Sequence, residues 1–289
     1  MVDISIVIPS FNRPEQLRGC LDALVQQDVT DFEVVVVDDG SKEPLSPVCE
    51  TFDARVRCIR QKNAGPASAR NAGAGSAWGD FLVFTDDDCR PQPDWLRNLV
   101  AAHCGLAGRL VGGRVENGLP HDPYASTSQA LCDFLYDYFG AVEGKMPFFT
   151  SNNMGCDRKG FERLGGFDRS FGLAAAEDRD FGLRWRDQVG ELIYAPDAVI
   201  YHYHAMNLRK FWRQHSNYGE GALHLHRLLE ARGLETPKRE SFRFYQQLLL
   251  WPPRQNGLRG LPGTFLMGLT QLAMVSGYVK ASRRTAKQG

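Results

Sequence analysis

Four apolar runs, Ile4 to Pro9, Phe32 to Asp38, Val56 to Arg60 and Asp80 to Thr85, alternate with helical patterns through the first hundred residues. Short apolar runs separated by helix-length segments are the signal for parallel strands joined by crossover helices. Between the first two, Pro14 to Gln27 carries Leu17, Leu21, Leu24 and Val25 at i, i+4, i+7 and i+8, with Pro14 suited to a first helical turn. Further helices are expected near Leu45 to Thr51, over the Ala- and Gly-rich Pro66 to Ala77, and from Pro93 to about Leu106. After Gly112-Gly113 the pattern is less regular. It reads as a helix around Gln129 to Tyr138, extended pieces at Phe148 to Thr150 and Asn153 to Cys156, and a turn at Gly165-Gly166-Phe167. A helix from Ala175 to Arg186 follows, then extended segments at Leu192 to Ala195 and Val199 to His202 and a long helix from Leu208 to Leu229. The expected fold is α/β, with a mostly parallel central sheet flanked by helices, a mixed region extending it, and a helical C-terminal extension after a Gly233 to Glu240 linker.

Two of the strands end in acid. Asp86, Asp87 and Asp88 follow the Asp80 to Thr85 run, and Asp38-Asp39 close the Phe32 to Asp38 run. Carboxylates this close repel one another, so they spread into solvent as a turn, neutralise by proton uptake, or hold a hard divalent cation through oxygen. In an open α/β sheet the ligand crevice lies outside the carboxyl ends of the strands, which directs both clusters at one pocket.

The charge is balanced overall, but residues 238–289 hold nine Lys or Arg against the single acid Glu240. The balance argues against a nucleic-acid binder, while a basic tail suits an anionic membrane surface or an acidic partner, or is a solvated helical tail. Gly260 to Val279 contains no charged residue and is followed by Lys280, Arg283, Arg284 and Lys287. Its Pro262, Thr264, Thr270, Gln271 and Ser276 make it too polar to span a bilayer. It reads as an interfacial helix, with a core-packing helix or a homo-oligomer contact as the alternatives. Seven scattered cysteines without a CxxC pair suggest reduced thiols and a cytoplasmic protein, peripheral at the inner membrane face if the tail docks there. The start of the chain has no basic n-region or long apolar h-region, so no export signal is expected.

In order along the chain stand Ser5 to Arg13 (SIVIPSFNR), Val37 to Ser41 (VDDGS), Gly65 to Gly73 (GPASARNAG) and Phe84 to Asp88 (FTDDD). With Gly165 to Asp168 (GGFD) and Glu177 to Asp180 (EDRD), this set closely resembles the family 2 glycosyltransferases of GT-A fold over residues 3 to 205. The resemblance implies a nucleotide-sugar donor, a divalent metal (manganese or magnesium) and inversion at the anomeric carbon. It divides a domain over residues 1–229 into a nucleotide-binding half, about 1–115, and an acceptor half, about 116–229, ahead of a basic tail over 230–289.

By this resemblance Asp88 is the expected metal ligand, and Asp86 hydrogen-bonds the ribose and helps hold the hydrated metal. Asp87 faces outward or sits behind them at the donor site. Asp39, and with it Asp38, is expected at the base, where a carboxylate suits the imide N–H of uracil, hence a UDP-sugar; the alternative is a capped turn before Gly40-Ser41. Pro9, Ser10 and Arg13 should line the nucleotide pocket, though Ser10 equally suits a helix cap. Arg70 reaches either the donor diphosphate or the strand-end aspartates, and Asn152 and Asn153 match a stretch that contacts the transferred sugar or acceptor. The pair Glu177-Asp178 matches the acceptor-side acidic motif, so Asp178 is the expected base, kept ionised by the dipole of a helix beginning there. His202 and His204 have period-2 spacing, which on a strand puts both on one face, and one of them is the expected further metal ligand. Trp185 is read as core rather than as a sugar platform.

Two departures from the family pattern matter. No QxxRW motif is present, so single-sugar transfer is expected, and Glu220 stands in Tyr218-Gly219-Glu220-Gly221 where relatives carry a basic residue. The expected function is metal-dependent transfer of one sugar to an acceptor hydroxyl on a glycan or lipid-linked acceptor, in bacterial-type cell-surface glycan or glycolipid synthesis. The alternatives are a catalytically inactive nucleotide-sugar-binding or membrane scaffold protein, and a nucleotidyltransferase, which would need a Gly-rich first loop that Pro9 to Arg13 does not offer.

Overall fold

The computed structural model describes residues 3–140, 146–172, 175–236 and 240–285. Residues 237–239 of the expected linker, and Lys287, lie outside them. Contacts divide the chain into two compact units, one of residues 1–116 and 140–203, the other of 117–139 and 204–289.

The first unit is built on an eight-stranded sheet. Its strands are β1 (Ile4–Ser10), β2 (Phe32–Asp38), β3 (Val56–Arg60), β4 (Phe81–Thr85), β5 (Cys89–Pro91), β6 (Arg109–Asn117), β7 (Asn153–Asp157) and β8 (Glu191–His202), in the order β3-β2-β1-β4-β7-β6-β8-β5. The first four pair in parallel, as the apolar runs predict, while β7 runs antiparallel to β4 and β6, and β5 antiparallel to β8. The expected crossover helices are present as α1 (Pro14–Leu24), α2 (Ser46–Cys49), α3 (Pro66–Ser76) and α4 (Trp95–His103). Ile6, Ile8, Val34, Val36 and Val83 pack with Leu17, Leu21, Leu24, Trp95 and Leu99 in the main core. Each such aliphatic side chain contributes roughly 1.5–3 kcal/mol on burial. Gly73 lets α3 sit against the other face of the sheet, because a Cβ there would strike Val7.

Strand β6 was not expected, since the pattern becomes less regular at Gly112-Gly113. The glycines are strand residues that admit close neighbours: a Cβ on Gly112 would enter the Phe149 ring, and one on Gly113 would meet the Ala198 carbonyl and Asn153. The extended segments at 192–195 and 199–202 are one strand, β8, and Phe148 to Thr150 forms no strand. Helices α6 (Arg158–Leu164) and α7 (Glu177–Gln188) complete this unit.

The second unit contains α5 (Pro123–Tyr138), α8 (Leu208–Ala231), α9 (Phe242–Asn256) and α10 (Leu261–Thr285). The boundary expected at 229 therefore differs from the observed division, because α8 packs on α10 and residues 117–139 join them. Leu131, Phe134, Phe244, Leu248 and Met267 form its core. Asp122 caps α5 by accepting from the Tyr124 and Ala125 amides, and its second oxygen accepts from Met206 N at 2.8 Å. Gly219 and Gly277 allow α8 and α10 to cross closely, as a Cβ on either would run into the Met274 or Ser216 carbonyl. The Tyr218 to Gly221 element is thus part of a helix crossing, not a phosphate-binding loop.

His215 of α8 is fully buried, and desolvation pulls it down from the ordinary histidine range to about 4. A depressed histidine takes up its proton in the unfolded chain first, so its neutral-state stability is present above about pH 6.5 and is lost as pH falls toward 4. Full development of the shift is worth about 3 kcal/mol. Thermal unfolding of the wild type should therefore lose that much more than His215→Phe between pH 6.5 and 4. Parallel pH curves for the two proteins would contradict this.

Candidate active site

The strand order 3-2-1-4 reverses direction at β1, so the crevice lies at the carboxyl ends of β1 and β4. Ser10 ends β1 and donates its hydroxyl to Asp87 Oδ2 at 2.7 Å. Arg13, at the start of α1, bridges the acidic turn, with NH1 at 3.0 Å from Asp87 Oδ1 and 3.1 Å from Asp88 Oδ2. Asp87 is buried, and burial pushes its carboxyl up to about 6 against the pull of Arg13. The outward orientation considered for Asp87 does not hold; the turn after Thr85 directs it inward, behind Asp88. Pro9 is half-buried beside Val37.

At the end of β2, Asp38 caps the following turn, accepting from Ser41 N at 2.8 Å and Leu45 N at 3.2 Å, with Arg60 at 3.5 Å. Of the two readings offered for it, the turn is the one its contacts describe. Asp39 accepts from Gln61 Nε2 at 2.7 Å, Ala64 N at 3.0 Å and Gly65 N at 2.9 Å. Each carboxylate oxygen has two lone pairs, so Oδ2, which accepts from Gly65 N, keeps further accepting capacity. Asn12, at φ 56°, ties this loop to the first: its amide donates to Ser41 Oγ and its Oδ1 accepts from Lys42 N. The neighbouring Phe11 is 45% exposed, an open aromatic beside the strand ends that the polar motifs drew attention away from.

Strand pairing brings the distant His202 to this edge. Cys89 of β5 is opposite His202 of β8, and His202 Nε2 lies 3.2 Å from Asp88 Oδ1. Ligand atoms of Asp88, Cys89 and His202 lie within 4.8 Å of one another, which fits a divalent cation held by carboxylate and imidazole. Burial pulls His202 down and Asp88 pulls it up, and the net direction is up. Cys89 belongs to the apolar core and burial holds its thiol well above the ordinary range, so it is the weakest of the three as a ligand. Strand β8 ends at His202, so the alternation expected to align His204 with it has no strand to run along.

Asp86 turns toward Arg70, whose NH2 is 2.8 Å from Asp86 Oδ1 while NH1 is 3.1 Å from Glu177 Oε1. Arg70 is buried, and among the described residues its Nε has no hydrogen-bond partner. This one side chain joins the end of β4 to the first turn of α7, where Asp178 also sits. Ala176, just before the helix, is held at φ 71°, a left-handed conformation that costs an L residue roughly 1–2 kcal/mol. Burial raises Glu177 to about 7, with Asp178 adding to the effect, and burial raises Asp178 as well. Desolvation therefore outweighs the helix dipole that was expected to favour the ionised form of Asp178. A raised carboxylate is also the stronger base.

The two asparagines part company. Asn153 is fully buried and its amide is committed, donating to the Arg114 and Ala198 carbonyls at 2.9 and 3.0 Å and accepting from Trp95 Nε1 at 2.8 Å. It ties β6, β8 and α4 together and is not available to a sugar, contrary to expectation. Asn152, one residue beyond the Thr85 and Asn153 pair and so level with Asp86, is buried, and among the described residues its Oδ1 has no hydrogen-bond partner.

Other motif residues are scaffold. Asn71 brackets Phe167 through both its backbone groups at 2.8 Å, and Arg184 joins Asp180 at 2.7 Å to the Leu164 and Gly166 carbonyls. These bonds fasten the GGFD turn to α3 and α7, and so fix the first turn of α7. Trp185 is fully buried, as read from the sequence. A cavity of about 240 Å³ lined by Asn71, Leu82, Arg158, Phe161 and Arg169 contains none of the strand-end acids.

A mixed α/β sheet with acids, an arginine and a histidine gathered at its strand ends defines a nucleotide-sugar transferase type of fold, the GT-A fold expected above. Residues 5–165 match the family described as glycosyl transferase family 2, and the chain belongs to that family. It is 29% identical over 219 residues to a hyaluronan synthase of Pasteurella multocida, covering 63% of this chain and 22% of that protein. It is 29% identical over 228 residues to a pre-mycofactocin glycosyltransferase of Mycobacterium tuberculosis, covering 76% and 47%. The chain thus spans half or less of the length of these relatives. Among solved structures, a mannosyltransferase from Pyrobaculum calidifontis in complex with GDP-Man and Mn2+ superposes with TM-score 0.63 at 21% identity, over 99% of this chain and 79% of that one.

Proposed function

We propose that the protein transfers a single sugar, with inversion, from a UDP-sugar to an acceptor hydroxyl on a glycan or lipid-linked acceptor, in the synthesis of a cell-surface glycan or glycolipid. The observation that carries this reading is Arg70, whose ion pairs to both Asp86 and Glu177 support one site for the acids assigned to donor and acceptor. Asp88 and His202 would hold manganese or magnesium, with Asp86 helping from the adjacent turn. When bound, the cation supplies charge neutralisation for the departing diphosphate. Asp39 would take the imide N–H of the base with Phe11 against its face, and Arg13 would approach the phosphates from its place beside Asp87 and Asp88. Asn152 would meet a hydroxyl of the transferred sugar through Oδ1, which has no hydrogen-bond partner among the described residues. Asp178 takes the proton of the acceptor hydroxyl from the face opposite the leaving diphosphate.

The Asp39 carboxylate suits the imide N–H of uracil and equally the N1–H and amino group of guanine, and the Pyrobaculum neighbour holds GDP-Man, so a panel of both nucleotides decides the base. The seven free cysteines support a reducing, cytoplasmic setting. Incubation with a panel of UDP- and GDP-sugars and manganese, with and without chelator, should yield nucleoside diphosphate from a UDP-sugar only when metal is present. Release unaffected by chelator, or pyrophosphate release from a nucleoside triphosphate instead, would contradict the proposal.

A further inference from the structure

Helix α10 has two faces. Met267, Thr270, Ala273 and Ala281 are buried, and Gly277 sits against α8. On the other side Leu261, Phe265, Leu272, Val275 and Val279 are 54%, 74%, 63%, 61% and 40% exposed. At 100° per residue these five fall within a stripe about 80° wide, and the helical rise makes it about 27 Å long. Leu258, just before the helix, is 85% exposed. The stripe ends in cations: Arg254 and Arg259 precede it, and Lys280, Arg283 and Arg284 follow it, all exposed, with Arg284 3.4 Å from Glu220 of α8. No Asp or Glu occurs from residue 241 to the end of the sequence.

We infer that α10 docks lengthwise on an anionic lipid surface, with this stripe in the acyl boundary and the flanking arginines and lysine at the headgroup phosphates. Three observations select that occupant. Among the described residues no helix is long and apolar enough to cross a membrane, which leaves a helix lying in the interface. Cations at both ends disfavour a second copy on the same stripe, since either orientation would bring the basic ends together. An apolar face with basic ends, whose one neighbouring acid is the Glu220 that pairs with Arg284, still complements apolar chains beneath anionic headgroups. The inference is independent of the proposed reaction, because the surface would bind lipid whatever the strand-end acids do.

The test is sedimentation of the full chain with vesicles of phosphatidylcholine alone and of phosphatidylcholine with 30% phosphatidylglycerol. Binding should be at least tenfold stronger to the anionic vesicles and fall at high salt. It should drop more than tenfold in Phe265→Asp/Leu272→Asp and again in Arg283→Gln/Arg284→Gln, with circular dichroism and thermal unfolding of both variants unchanged. Equal binding by wild type and both folded variants would overturn the inference. So would a concentration-dependent dimer that Phe265→Asp/Leu272→Asp abolishes in a protein that binds neither vesicle, which would assign the stripe to a second copy. Should a variant unfold, salt dependence and the neutral-vesicle comparison on the wild type decide alone: salt-insensitive or equal binding overturns the inference.

Discussion

Asp178→Asn is expected to lower turnover by about 10²–10⁴-fold, the usual range for loss of a positioned general base, while UDP and metal still bind. The substitution keeps the size of the side chain and its place in the first turn of α7, where Asp178 Oδ1 accepts from Arg179 N at 2.8 Å. It removes only the capacity to take a proton. Because burial raises the Asp178 carboxyl, the acid limb of the wild-type rate profile should lie above the ordinary carboxylate range, with activity lost as pH falls through it. Turnover and the binding of UDP, measured on the same preparations, check this. Retained turnover in the variant would remove Asp178 from the chemistry, and equal losses of turnover and UDP binding would make it a structural acid.

Arg70→Met should destabilise the first unit by about 3 kcal/mol and abolish activity with it. The guanidinium is 3% exposed and lies between Glu177, which is 5% exposed, and Asp86, which is 30% exposed. Breaking a buried ion pair costs roughly 3–5 kcal/mol, and the low end applies here because Glu177, already raised to about 7, can protonate, and Asp86 is partly solvated. That loss corresponds to a fall of about 6–12 °C in melting temperature. Arg70→Lys should recover part of the stability but little of the activity, since an ammonium cannot reach both carboxylates with the geometry of the planar fork. A melting temperature unchanged in Arg70→Met, or full activity in Arg70→Lys, would show that the bridge between Asp86 and Glu177 is incidental.

What could be read from the sequence is what depends on local pattern. The parallel half of the sheet follows from four apolar runs, and the acids at two strand ends follow from chain order. The direction of each acid does not. Asp86, Asp87 and Asp88 are identical in type, and only the turn sends one to Arg70, one inward to Ser10 and one toward His202. Asn153 illustrates the same limit, because its amide is consumed by carbonyls at Arg114 and Ala198 that only the folded sheet brings near. His204 was aligned with His202 on a strand that ends at His202 itself, two residues short of it. Helix α9 falls in the expected helical extension, though Pro252 and Pro253 within it blur its bounds, and residues 117–139 join a unit whose other members begin at 204. Pairings over that separation leave no mark in local periodicity.

The account rests on a cation shared between Asp88, His202 and the diphosphate, and titration calorimetry of UDP with and without manganese measures that sharing directly. Wild-type protein should bind UDP tightly only with manganese, with UDP and metal each strengthening the other by the same factor, and Asp88→Ala should abolish the coupling while remaining folded. UDP binding of equal strength without metal, or undiminished coupling in Asp88→Ala, would contradict it.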